Sequence, residues 1–193
     1  MKLVVLDVGC GNIGSVGIAF GRLGAVATVS ADPERIAGAD RVVIPGVGAA
    51  GFAMEQIRRR GLEPLLRALT QPVLGICLGM QLLFESSDEG DTACLGILAG
   101  RVSRMMPGPG RPVPHMGWSR LDVGDGGLGL SSGDYVYFAH GFACPDGPAT
   151  IASTVYGGVV PAVVRKDNWL GAQFHPERSG EAGRAFLERW IAA

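Results

Sequence analysis

The chain is short of net charge. Seventeen Lys and Arg stand against eighteen Asp and Glu, a formal balance of -1 over 193 residues. That balance excludes bulk electrostatic attraction to nucleic acid or to an anionic membrane as a basis for function. Histidine is scarce too, with three in all. The four cysteines, Cys10, Cys77, Cys94 and Cys144, are far apart and form no C-x-x-C pair. Neither a metal site nor a disulfide framework is expected from such spacing, and free thiols in a reducing cytosol are. No long apolar run occurs either. The longest, "VLGICLGMQLLF", is too short for a membrane span, and the run before Asp7 is too short for a signal peptide. A soluble cytoplasmic protein is expected, folded as one domain over residues 1–193.

Glycine, by contrast, is abundant, and the first informative stretch is "VVLDVGCGNIGSV" from Val4 to Val16. Gly9, Gly11 and Gly14 have the G-x-G-x-x-G spacing of a dinucleotide loop, and Asp32 follows about 20 residues on, where a ribose ligand would stand. Such glycines serve equally well in any tight strand-to-helix crossing. Apolar runs ("KLVVLD", "VATVS", "RVVIP", "PVLGI") alternate with helical patterns at about 13–23, 33–38 and 54–60. Asp32 caps the second helix and Pro33 opens it. This alternation predicts a parallel sheet covered on both faces. Beyond Gly96, short β-rich runs separated by Pro and Gly clusters predict added antiparallel or mixed strands, and a final helix is expected over about 180–191.

The second informative stretch is "GICLG", residues 75–79. An apolar strand ends, Cys77 follows, and a helical pattern begins at once in "LGMQLLFES". Glycines two residues either side permit the cramped turn that lifts a nucleophile above the carboxyl edge of a sheet. A thiol at a helix start feels the unpaired N–H groups there, which favour the thiolate, and the N–H of Leu78 would point at a developing oxyanion. An unpaired cysteine is also an ordinary small core side chain, so the pattern needs a base beside it. "AQFHPERS" offers one: His175 follows a strand, and Glu177 stands two residues on across Pro176. In an extended segment these two side chains would point the same way, the carboxylate orienting the ring. Nucleophile, imidazole and acid all fall at strand ends, where α/β sheets place their sites.

Taken together, "GICLGMQ", "GAQFHPE" and "PGVG" resemble the class I, triad-type glutamine amidotransferases, over essentially the whole chain. "DVGCGN", "PHMGW" and "YFAH" further resemble the glutaminase subunits of imidazole glycerol phosphate synthases within that class. The resemblance implies an α/β, doubly wound, flavodoxin-like sheet with a parallel core and added antiparallel strands. It implies that Cys77 attacks the glutamine side-chain amide, that His175 protonates the leaving ammonia and then activates water, and that Glu177 orients His175. Val47 and Gly48 of the "PGVG" loop, with Leu78, would supply the oxyanion donors, and Gln81, Glu89, Gly141 and Phe142 would meet the substrate. Asn12, His115, Trp118, Ser119, Tyr137 and Arg178 would face a partner, a (β/α)8-barrel cyclase forming a heterodimer with this chain. No cofactor is implied. Val8, Ser119, Gly141 with Phe142, and Arg178 depart from the residues usual in that family, and none belongs to the triad.

Other readings remain on the sequence alone. One is the glutaminase subunit of a different class I amidotransferase. Another is an S-adenosylmethionine-dependent methyltransferase, whose first motif "VLDVGCG" repeats by letter, although that reading leaves the cysteine elbow and His-Pro-Glu without a role. A cysteine α/β-hydrolase is disfavoured because its acid precedes the histidine along the chain, and an inactive binding module is disfavoured by the complete triad. Adding S-adenosylmethionine or a dinucleotide is expected to leave the melting temperature unchanged. The methyltransferase reading requires a rise, because a ligand that binds only the folded state stabilises it.

Overall fold

The run Leu3–Leu6 is buried at every position and forms β1. Val4 and Leu6 face Ile36, Met54 and Ile57 on one side of the sheet, while Leu3 and Val5 face Phe20, Phe186 and Trp190 on the other. A strand covered on both faces reads as unbroken apolar sequence, and each fully buried aliphatic side chain contributes about 1.5–3 kcal/mol. The computed structural model describes residues 1–9, 13–46 and 48–193. Asn12 and Val47, expected to face a partner and to donate to an oxyanion, lie outside the described residues.

After β1 come α1 (Ile13–Arg22), β2 (Ala27–Ser30), α2 (Pro33–Ala37), β3 (Arg41–Ile44), α3 (Ala50–Arg59), α4 (Glu63–Arg67), β4 (Val73–Ile76) and the single turn α5 (Leu78–Gln81). The second half adds β5 (Ser86–Ser87), β6 (Thr92–Ala93), β7 (Arg101–Arg104), β8 (His115–Arg120), β9 (Asp122–Val123), β10 (Tyr135–His140), β11 (Phe142–Ala143), β12 (Thr150–Val155), β13 (Val159–Lys166), β14 (Trp169–Ala172) and α6 (Gly180–Ala192). The main sheet runs β2-β1-β3-β4-β14-β13-β12-β9. Its first five strands are parallel, in the flavodoxin-like order, and the rest continue it antiparallel. β8 and β10 form a separate antiparallel hairpin, and β11-β7-β5-β6 form a small third sheet.

Two elements differ from the sequence expectation. The helix after Cys77 does not run on through "LLFES": it gives way to tighter i→i+3 turns at Leu83 and Phe84, and Ser86–Ser87 pairs with β6 and β7. Tertiary pairing overrides helical pattern there. Helix α3 starts at Ala50 rather than near Met54. Ala49 gives it no side-chain cap, and the Ala50 amide is taken instead by Glu89 Oε2 at 2.7 Å, from 39 residues away. No local signal could mark that start. Among the described residues no helix is long and apolar enough to cross a membrane.

The closest backbone approach joins β3, β4 and α5. A Cβ on Gly79 would stand 1.9 Å from the Ile44 carbonyl oxygen, and one on Gly75 would stand 2.4 Å from the Gly79 carbonyl oxygen. Both obstacles are backbone and neither can step aside. Gly79→Ala is therefore expected to cost about 3 kcal/mol or more, as overpacked cores do, whereas Gly17→Ala in α1, with open space around it, should be neutral or slightly stabilising. Thermal melts of the two variants check this.

Candidate active site

The crowding beneath α5 sets the conformation of Cys77, which is φ 51, ψ -105. A non-glycine residue held there stores about 1–3 kcal/mol of strain. The surroundings enforce it: the Cys77 N–H donates to the Ala172 carbonyl at 2.7 Å, while the Cys77 carbonyl accepts from Met80 and Gln81. The side chain leaves the carboxyl edge of β4 and is 6% exposed, with Sγ 3.8 Å from the Ala139 carbonyl oxygen and 3.6 Å from Gln173 Nε2. Because α5 is one turn long, the groups that activate this thiol are its side-chain partners rather than a long helix dipole.

His175 is the chief of these. Its side chain is 7% exposed and that of Glu177 only 2%. His175 Nδ1 lies 2.9 Å from Glu177 Oε1, so Nδ1 donates to the carboxylate and Nε2 is left free to act on Cys77. Burial opposes a charged ring, but the hydrogen bonds and charges of Cys77 and Glu177 outweigh it and raise the imidazole pKa to about 10. Among the described residues Glu177 Oε2 is buried with no hydrogen-bond partner, and Oε1 is the oxygen that meets His175. The local path corrects the sequence expectation. Pro176–Arg178 is a 3-10 turn rather than an extended segment, and Pro176 opens it because its fixed φ and missing amide suit a first helical position. Ser179 fastens the turn, donating from Oγ to the His175 carbonyl at 2.7 Å and accepting the Tyr137 N–H at 2.9 Å.

A cleft of about 170 Å³ opens beside Cys77, lined by Gly48, Leu78, Gln81 and Glu89 on one side and by Gly141 and Phe142 on the other. It is smaller than the roughly 300–1,000 Å³ of sites for drug-sized ligands and suits something of amino-acid size. Every candidate oxyanion and substrate residue among the described ones is thus brought together. Glu89 is also engaged at Ala50, and two residues expected at the substrate have their carbonyls used within the protein: that of Gly141 accepts Met105 N–H at 2.9 Å, and that of Phe142 accepts Gln81 Nε2 at 3.0 Å. Sequence reasoning missed Gln173 and Ala139. Gln173 is fully buried and bridges Gln81 and Cys77; its position two residues before His175 was the available signal.

Of the expected partner-facing residues, Trp118, Tyr137 and Arg178 cluster, with rings 6.0 Å apart and the Arg178 guanidinium 4.4 Å over the Tyr137 ring. His115 does not belong to that face. It is 2% exposed and stacked between Phe138 and Tyr156, and Ser119 bonds it from the same inward face of β8, where side-chain alternation places both. The nucleotide reading of the first glycines also fails. Gly9 N–H closes on Asp7 Oδ1, and Asp32 caps α2 through Glu34 N–H. The larger cleft of about 580 Å³ is lined by Lys2, Arg35 and Asp32, whose carboxylate is already engaged in the cap of α2.

An α/β sheet of this order carries a strained cysteine, a histidine and a glutamate at its carboxyl edge, the arrangement of a thiol-dependent hydrolase, and the comparisons supply the family. Residues 4–192 match the family described as glutamine amidotransferase class-I, and the chain belongs to that family. It is 48% identical over 195 residues to the imidazole glycerol phosphate synthase subunit HisH of Yersinia pseudotuberculosis and 47% identical to that of Escherichia coli, covering 99% of both chains in each case. A crystal structure of a glutamine amidotransferase aligns with a TM-score of 0.77 at 23% identity, covering 99% of this chain and all of that one, and PurLQS from Thermotoga maritima aligns at 0.73 and 17%, covering 99% and 97%. At those identities the two structures share the fold.

Burial raises the Cys94 thiol to about 11 and holds Cys144 well above the ordinary thiol range, so neither is nucleophilic near neutrality. An alkylating glutamine analogue is therefore expected to label Cys77 and to spare Cys94, Cys144 and Cys10. Peptide mass mapping checks the distribution, and label found chiefly on another cysteine removes Cys77 from the site.

Proposed function

We propose that this chain is the glutaminase subunit of imidazole glycerol phosphate synthase, hydrolysing glutamine in the cytoplasm and passing ammonia to a (β/α)8-barrel cyclase bound as a heterodimer. The observation that carries the reading is the strained Cys77 at the edge of an amino-acid-sized cleft, with the pKa of the His175 ring raised by Cys77 and by its hydrogen bond to Glu177.

The chemistry follows from the proton positions. His175, held toward its charged form, already carries the proton on Nε2 as Sγ attacks the side-chain carbonyl carbon of glutamine. The oxyanion forms beside the amide of Leu78 and the loop containing Val47 and Gly48. As the C–N bond breaks, His175 Nε2–H protonates the departing nitrogen and ammonia leaves. Water then enters, His175 removes its proton, and hydroxide attack on the thioester releases glutamate and restores the thiolate. Glu177 keeps the ring in the Nδ1–H form through both steps and stabilises the imidazolium between them. Ammonia is lost to protonation in bulk water, so docking the site against the cyclase serves as a water-excluding seal. Trp118, Tyr137 and Arg178 form the face we assign to that contact.

The test separates the nitrogen source from the ring-forming step. Cys77→Ala in the complex is expected to abolish glutamine-dependent ring formation, a loss of about 10³-fold or more for a removed nucleophile, while synthesis from added ammonium salt stays near wild type. A merely structural cysteine predicts a lower melting temperature with glutamine turnover kept. Failure with both nitrogen sources, in a folded complex, overturns the reading.

A further inference from the structure

An unbroken set of hydrogen bonds runs from the outer hairpin to the nucleophile. Ser119 Oγ is 2.8 Å from His115 Nε2, His115 Nδ1 is 3.1 Å from His140 Nε2, and His140 Nδ1 is 2.7 Å from the Phe142 carbonyl oxygen. That carbonyl also accepts Gln81 Nε2 at 3.0 Å. Gln81 Nε2 reaches Gln173 Oε1 at 3.0 Å, and Gln173 Nε2 lies 3.6 Å from Cys77 Sγ.

One group fixes every proton in the outer half. A carbonyl oxygen only accepts, so His140 carries its proton on Nδ1 and offers Nε2 as an acceptor. His115 must then donate from Nδ1, which leaves its Nε2 to accept the Ser119 hydroxyl. All four ring nitrogens are thereby used. Burial lowers both imidazoles to about 4, so both are neutral near pH 7 and this order holds. The frame around them is tight. His115 lies 4.7 Å from the Phe138 ring and 3.9 Å from the Tyr156 ring, whose hydroxyl is anchored to the Pro112 carbonyl at 2.7 Å. Ser119 and His115 share the inward face of β8, and the hydroxyl reaches the ring along it.

From this geometry we infer that His115 and His140 are positioning residues for glutamine hydrolysis: through the Phe142 carbonyl they hold Gln81 and Gln173 in place beside Cys77 Sγ, from an anchor on β8 next to exposed Trp118. The inference rests on the glutaminase reading above, and none of these side chains carries out a bond-breaking step.

Two substitutions at one position separate hydrogen bonding from stacking. His115→Phe keeps the ring stack and removes both hydrogen bonds, whereas His115→Asn gives up the stack but places an amide N–H where Nδ1–H stood, able to donate to His140. In the complex with the cyclase, His115→Phe is expected to lower kcat/KM for glutamine about tenfold, the worth of a typical hydrogen bond. His115→Asn should recover part of that loss, and both should keep synthesis from ammonium salt. The reverse ranking, Phe near wild type and Asn impaired, overturns the inference. If neither folds, Ser119→Ala at the half-buried outer end carries the kinetic test: a loss of about twofold or more supports positioning, and an unchanged value overturns it. Nitrogen-15 spectra of the full chain supply a readout that needs no glutamine. Both His115 and His140 are expected as Nδ1–H tautomers, and an Nε2–H tautomer on either ring overturns the network. A wild-type complex inert to glutamine with the tautomers as stated overturns the glutaminase reading and the positioning role together, while the network itself stands.

Discussion

Everything at the carboxyl edge of the sheet depends on three glycine backbones being allowed to touch. The missing Cβ atoms of Gly75 and Gly79, and that of Gly46, which would stand 2.4 Å from the Gly79 nitrogen, let β3, β4 and the first turn of α5 close to a separation no side chain permits. The chain leaving β4 then has one way to go, and residue 77 takes the positive φ that goes with it. The strain is small beside the burial energy of the strands that impose it, and a fixed bond from Cys77 N–H to β14 prevents its release. A side chain aimed by backbone packing stays aimed whatever fills the cleft, which is the preorganisation that covalent catalysis needs.

The three histidines show how one residue type is tuned in opposite directions within a few ångströms. All three have their Nδ1 directed at an oxygen acceptor or at a ring nitrogen that must accept. His175 faces a buried carboxylate and is held toward the charged form, whereas His115 and His140 face a neutral hydroxyl, a carbonyl and aromatic rings, and are held neutral. Desolvation acts on each of them; the difference is that Cys77 and Glu177 favour the charged form of His175, whereas the charge of His175 adds to desolvation in disfavouring that of His140. The mobile proton of the site is thereby confined to the ring beside the thiol.

Much of this was legible in sequence, for physical reasons. Continuous apolar strands, the Asp32-Pro33 cap and the glycine spacing around Cys77 are local signals, and each forms the element its chemistry predicts. His175 and Glu177 could be paired because they are two residues apart, although the turn that pairs them is not the extended segment that spacing first suggests. Illegible features are those decided across the fold. The start of α3 is set by Glu89, the early end of α5 by pairing of Ser86 and Ser87 with distant strands, and the burial of His115 by Phe138 and Tyr156 closing over it. An aromatic-rich hairpin motif does not say in sequence which of the two alternating faces meets the core, and the pairing of β8 with β10 against the rest of the fold decides it.

Ser179 links two segments 42 residues apart with a single hydroxyl, taking an amide proton from Tyr137 and giving its own to the carbonyl of His175. The registration of the imidazole against the hairpin is therefore written in main-chain atoms, reinforced where His175 N–H meets the Tyr137 carbonyl at 2.9 Å. Side chains on the outer face of that hairpin, such as Met116 and Trp118, take no part in it. The surface that a partner would recognise is thus free to diverge in sequence without dragging the histidine out of line, so recognition and chemistry can evolve at separate rates on the same pair of strands.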